Sequence, residues 1–209
     1  MQRSRFFYRL VVPVLLLAGV LLSPRPATGQ IDTRLGLRLG VASMTIDGGA
    51  QSNRGRRAGL MGGGYVRLGA PGWVSFQPEL LYVQKGASNE FRAGGTTVTE
   101  VDKLGVIEVP LLVRVHAPSE TVSPTLFAGP VVSQVVRSSS TIEADGSRPS
   151  NLAASVPPSV EGLGAMIGTG LSVDLNSRTF TIEARYQFEP HTGQNLGGQG
   201  FTFSVGVEQ

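Results

Sequence analysis

Residues 74–87, VSFQPELLYVQKGA, alternate between two kinds of side chain. Phe76, Pro78, Leu80 and Tyr82 share one phase of a two-residue period. Ser75, Gln77, Glu79 and, further on, Lys85 fall in the other. Successive side chains of a strand point to opposite faces. One face of this strand is therefore apolar, and the other carries an amide, an acid and a base.

The pattern recurs along the chain and predicts seven further strands. Residues 33–45 set Leu35, Leu37, Leu39 and Val41 against Arg34, Gly36, Arg38, Gly40 and Ala42. Residues 58–68 set Val66 and Leu68 against Tyr65 and Arg67. The stretch at 74–87 is the third strand. The fourth, 99–116, sets Ile107, Val109, Leu111, Val113 and Val115 against Glu108, Leu112, Arg114 and His116. In the fifth, 125–137, the adjacent Val131 and Val132 leave the phase open. The sixth, 160–173, places Leu163, Ala165, Ile167, Leu171 and Val173 opposite a run of glycines with Met166 and Ser172. The seventh, 179–188, alternates without exception: Phe180, Ile182, Ala184, Tyr186 and Phe188 against Thr179, Thr181, Glu183, Arg185 and Gln187. The eighth, 201–208, sets Phe201, Phe203, Val205 and Val207 against Thr202, Ser204, Gly206 and Glu208.

The connections alternate in length. Those at 46–57, 88–97, 138–158 and 189–200 are long, and those at 69–72, 117–123 and 174–178 are short. Short turns at one end and longer loops at the other are the habit of outer-membrane barrels. A soluble eight-stranded barrel turns its apolar face inward. Here charges alternate with fully apolar faces and no second apolar set is present to build a core, so a soluble barrel would have to bury Glu79, Glu108, Arg114, Glu183 and Arg185 or expose the leucine and phenylalanine set. Exposing that much apolar surface to water is a serious liability. Lipid is the simpler solvent for them. The expected fold is an all-β, eight-stranded, antiparallel up-and-down transmembrane barrel. Trp73, Tyr82, Tyr186 and Phe201 lie toward strand ends, where aromatic girdles form.

Several stretches also resemble a known family. QPELLYVQKGA, then Val106-Ile107-Glu108-Val109-Pro110-Leu111-Leu112, then Leu126-Phe127-Ala128-Gly129-Pro130, then Glu183-Ala184-Arg185-Tyr186, occur in the order found in the outer-membrane β-barrel domain family often labelled PorT-like, among the small OmpA-like barrels. The resemblance spans residues 77–188. It implies the barrel fold and a poorly characterised function, with a role in protein secretion in the PorT branch.

The N-terminus adds an export signal. Arg3, Arg5 and Arg9 form a basic segment, residues 10–22 an apolar one, and Ala27-Thr28-Gly29 a small-x-small cleavage site. Residues 1–29 are expected to be removed, leaving a barrel domain at 30–209. The apolar run is short for a spanning helix and contains Pro13. The formal charge of +3 changes with it. Arg3, Arg5, Arg9 and Arg25 leave, so 14 basic residues remain against 15 acidic ones, a net of −1. Nucleic acid is therefore not an expected partner. Outer-membrane lipid and lipopolysaccharide are, together with the barrel-assembly machinery during insertion and an envelope protein.

No cysteine is present, which excludes disulfides and thiol chemistry. His116 and His191, the two histidines, lack metal-ligand spacing; His116 falls near a short turn and His191 in a long loop at the other end, so no triad is expected. No catalytic residue, cofactor or metal is expected. Gly162, Gly164, Gly168 and Gly170 lack the spacing of a nucleotide loop and more simply make room for large inward neighbours. Arg54, Arg56 and Arg57 cluster on an outer loop and could meet lipopolysaccharide phosphates.

The charges in the polar phase are the remaining candidates. Arg38, Arg67, Glu79, Glu108, Arg114, Glu183 and Arg185 are expected to form an interior network, with Arg34 nearby. Eight strands leave an interior just wide enough for side chains to fill, so the network is expected to be structural. Glu79 is expected to pair with Arg67 and to approach Glu108. The leading expectation is a non-enzymatic barrel acting through outer loops or a partner. The alternatives are a small channel for polar solutes and a lipid-modifying hydrolase.

Overall fold

The computed structural model describes residues 32–47, 55–69, 73–93, 96–117, 119, 121–144, 150–152, 161–190 and 197–209. They hold β1 (Asp32–Asp47), β2 (Gly55–Gly69), β3 (Val74–Ala93), β4 (Thr96–His116), β5 (Val122–Ala144), β6 (Ser150–Leu152), β7 (Glu161–Leu175), β8 (Arg178–Glu189) and β9 (Gly197–Glu208). Strands β1 to β5 and β7 to β9 pair with their neighbours in chain order, all antiparallel. β9 returns to β1, from Gly36 opposite Glu208 to Asp47 opposite Gly197. The sheet is a closed eight-stranded up-and-down barrel, and β6 is an outlying piece on Ser140–Ile142 of β5.

Burial follows the two-residue period. Leu37, Ile182 and Val205 are 67%, 63% and 58% exposed, whereas their neighbours Arg38, Thr181 and Ser204 are buried. Charges inside and leucines outside invert the arrangement of a soluble protein. Lipid removes the cost of that apolar surface. Closure gives each of the eight barrel strands a partner on both sides, as hydrocarbon requires. Trp73 is exposed beside the β2–β3 turn, and Tyr82 and Phe201 are exposed toward the long-loop end. The Tyr186 and Phe201 rings there lie 5.1 Å apart.

Three expectations change. First, residues 88–93 and 96–97 and the start of 138–158 are strand. β3, β4 and β5 run 20, 21 and 23 residues, about twice the 9–11 needed to span a bilayer. The β3–β4 ladder continues to Ala93 opposite Thr96, and the β4–β5 ladder to Val98 opposite Ala144. These segments are polar, but β-branched Thr96, Thr97, Val98, Thr99 and Val101 suit a pleated strand. Second, the phase of β5 is settled. Thr125, Phe127, Val131, Ser133 and Val135 are buried inside. Third, the interior holds apolar side chains as well as charges. Ala42, Met44, Met61, Leu81 and Val83 form one buried cluster, and Leu112, Phe127, Val131 and Met166 another.

Local chemistry supports the layout. The β7–β8 turn places Asn176 at φ 56°, a left-handed conformation that Asn tolerates better than most residues. Two inward glycines make room for rings. A Cβ on Gly36 would lie 2.2 Å from the Tyr65 ring, and one on Gly168 would lie 2.4 Å from the Phe127 ring. Residues 1–29, Arg54 and His191 lie outside the described residues, as do the side chains of Arg56 and Arg57.

Candidate functional site

The inward phase of the strands stacks the charges in three tiers along the barrel axis. The middle tier is built on β8. Glu183 accepts from Arg38, from Arg114 at 2.8 Å, and from Arg185 at 2.7 Å. Arg185 also donates to both carboxylate oxygens of Glu79, at 2.7 and 2.8 Å, and Arg38 lies 3.7 Å from Glu79. All five side chains are buried. The guanidinium of Arg38 stacks 4.8 Å from the Tyr65 ring centroid, and Arg114 and Arg185 stand 4.8 and 5.2 Å from that of Phe127. These are the rings that Gly36 and Gly168 admit, so the glycines indirectly position the arginines.

The tier nearest the short turns joins Arg67 to Glu208 at 2.6 Å, with Arg34 3.8 Å from the same carboxylate. The tier nearest the long loops joins Lys85 to Glu108 at 2.7 Å and to Glu189 at 2.8 Å. Gln187 donates to both of those acids. A crevice of about 30 Å³ beside Lys85 and Glu189 has room for a water or two.

All seven expected network residues face the interior. Arg38, Glu79, Arg114, Glu183 and Arg185 meet in one cluster, and Arg67 and Glu108 belong to the tiers on either side. The expected Glu79–Arg67 pair does not form. Arg67 instead donates to Gln77 at 3.4 Å, and Gln77 in turn donates to Glu79. Gln77 separates the two charges, and Glu208 on β9 takes the arginine. Glu79 and Glu108 do not meet either, because Leu81 is the residue opposite Glu108. Glu208, Gln187, Gln77 and Lys85 complete the tiers, and each lies in the polar phase of its strand. Glu189 stands at the end of β8, one position beyond the predicted strand.

This interior can hold charge and exclude bulk water. Buried ion pairs gain little net stability over apolar packing, but removing one partner is costly. Among the described residues no group of His, Asp and Glu side chains has the arrangement of a metal site. His116 sits at the short-turn end of β4, where its backbone N–H donates to Trp73.

The fold has solved relatives. The Neisserial surface protein A structure matches with a TM-score of 0.52 at 13% identity, over 86% of this chain and 97% of that one. OprG from Pseudomonas aeruginosa scores 0.46 at 11% identity, over 86% and 96% of the two chains. The N-terminal barrel of Pseudomonas aeruginosa OprF scores 0.42 at 12%, over 86% and 100%. No curated protein matches the sequence. The model of the family described as "Outer membrane protein beta-barrel domain" matches residues 24–188. That match runs over well more than half of the chain, and with the closed eight-stranded barrel it means that this protein belongs to the outer-membrane β-barrel domain family.

Proposed function

We propose that this chain is a non-enzymatic barrel whose filled interior serves as a rigid scaffold, and that its activity lies in its outer segments and an envelope partner they engage. Residues 1–29 would direct export and then be removed. The observation that carries the reading is the occupied interior: three tiers of paired charges cross the barrel, with Leu112, Val131 and Phe127 packed beside them. The extended ladder of β3, β4 and β5 supports it from outside, since it commits many residues to a surface beyond the bilayer. Planar-bilayer recording is the test. The expected result is no steady conductance from the folded protein. Stable single-channel steps would replace this reading with the small channel. A change in lipid A mass on incubation with the protein would replace it with the hydrolase.

A further inference from the structure

The outward face of β3, β4 and β5 changes character at one level. Going from the short-turn end, the apolar run ends at Tyr82 on β3 and at Ile107 on β4; on β5 it passes Gln134 and ends at Val136. Immediately beyond stand Gln84, Lys103, Arg137 and Ser139, all exposed. With the short turns on the periplasmic side, this level is the headgroup layer of the outer leaflet.

Arg137 reaches that face because of a bulge. Thr125, Phe127, Val131, Ser133 and Val135 point inward, and continued alternation would send Arg137 inward too. The ladder shifts here: Val106 pairs with Val135, but Gly105 pairs with Arg137, leaving Val136 as an extra residue. A bulge of this kind re-aims the side chains that follow it. Here lies a groove of about 430 Å³, its outward lining Tyr82, Gln84, Lys103, Gly105, Arg137 and Ser139, with the buried Lys85 and Leu104 also bordering it. At ~30 Å³ per water it holds on the order of ten molecules. Gly105 keeps the floor open, since a Cβ there would lie 2.5 Å from the Tyr82 hydroxyl and 3.2 Å from the Arg137 Cβ. No ion pair to a described carboxylate occupies Lys103 or Arg137.

We infer that this groove binds a phosphate of the lipid A headgroup of lipopolysaccharide. Lys103 and Arg137 supply the charge, Gln84 and Ser139 neutral hydrogen bonds, and Tyr82 the border with the acyl chains. An arginine fork matches phosphate oxygens, and a lysine adds a point charge. This assignment rests on the outer-membrane orientation above and adds a ligand to it.

The test places the protein in phosphatidylcholine nanodiscs doped with bisphosphorylated lipid A, dephosphorylated lipid A or phosphatidylglycerol, and counts retained lipid by native mass spectrometry. Wild type is expected to retain bisphosphorylated lipid A over the other two. The Lys103→Gln, Arg137→Gln double variant is expected to retain about tenfold less, and Lys103→Arg to retain it like wild type. Equal retention by the double variant overturns the site. Equal retention of phosphatidylglycerol by wild type overturns the lipid A assignment. Insertion is read separately, as heat-modifiable migration. A wild-type chain that fails to insert overturns the outer-membrane reading itself, whereas insertion without lipid discrimination overturns the groove alone.

Discussion

Replacing Glu183 with Gln should be among the most damaging single changes in the interior. Glu183 and Glu79 carry two negative charges against the three positive charges of Arg38, Arg114 and Arg185. Glu183→Gln leaves one carboxylate for three guanidinium groups. Losing one partner of a buried ion network costs about 3–5 kcal/mol. Arg114 loses most, because Glu183 is the described carboxylate it contacts. Arg114→Met alone should cost less, about 1–3 kcal/mol, because Glu183 keeps Arg38 and Arg185. In the double variant the methionine removes the stranded charge and retains packing against Phe127. The combined loss should therefore fall short of the sum by about 1–3 kcal/mol. Urea unfolding in lipid vesicles measures this, with Trp73 as the reporter; it is the single tryptophan and sits exposed at the short-turn end. Additivity within about 0.5 kcal/mol would refute the pairing. The same cycle on Glu79→Gln and Arg67→Met should show a smaller departure from additivity, because the two charges do not touch and meet only through Gln77.

Two further changes test the walls. Ile182→Arg puts a charge on the lipid face of β8 and should cost about 2–4 kcal/mol; heat-modifiable, folded protein should fall sharply, while the inward Thr181→Val should leave the yield nearly unchanged. Gly168→Ala forces a Cβ against Phe127 and should destabilise by about 1–3 kcal/mol, with Phe127→Leu in the same chain restoring part of the loss in the same unfolding assay.

The fold was legible wherever alternation was strict. The residues of β8 declare both faces without exception, and β1 and β9 do nearly as well. β5 was not legible, because adjacent Val131 and Val132 satisfy either phase and only the neighbouring strands select one. The polar hairpin of β3 and β4 was also missed, since composition marks it as loop while its β-branched residues and ladder make it strand. The site was legible as a set of inward residues but not as pairs. Alternation states that Glu79 and Arg185 face inward. It does not state that residues 106 positions apart meet across the lumen, which depends on strand register around the whole barrel. Apolar Leu81, Val83 and Leu112 share the polar phase, so the interior is less polar than its charged positions alone suggest.

The seam between β1 and β9 sets the order in which this barrel can form. It joins Gly36 to Glu208, so the first strand waits for the last. Bringing ends ~170 residues apart together costs about 4–5 kcal/mol of chain entropy, with little return until the seam zips. Until then β1 and β9 each present a row of unmet N–H and C=O groups, which a bilayer penalises at every residue. A half-inserted open sheet is therefore a poor intermediate. Penetration and closure should advance as a single kinetic phase, with a rate set by this seam rather than by any of the local hairpins.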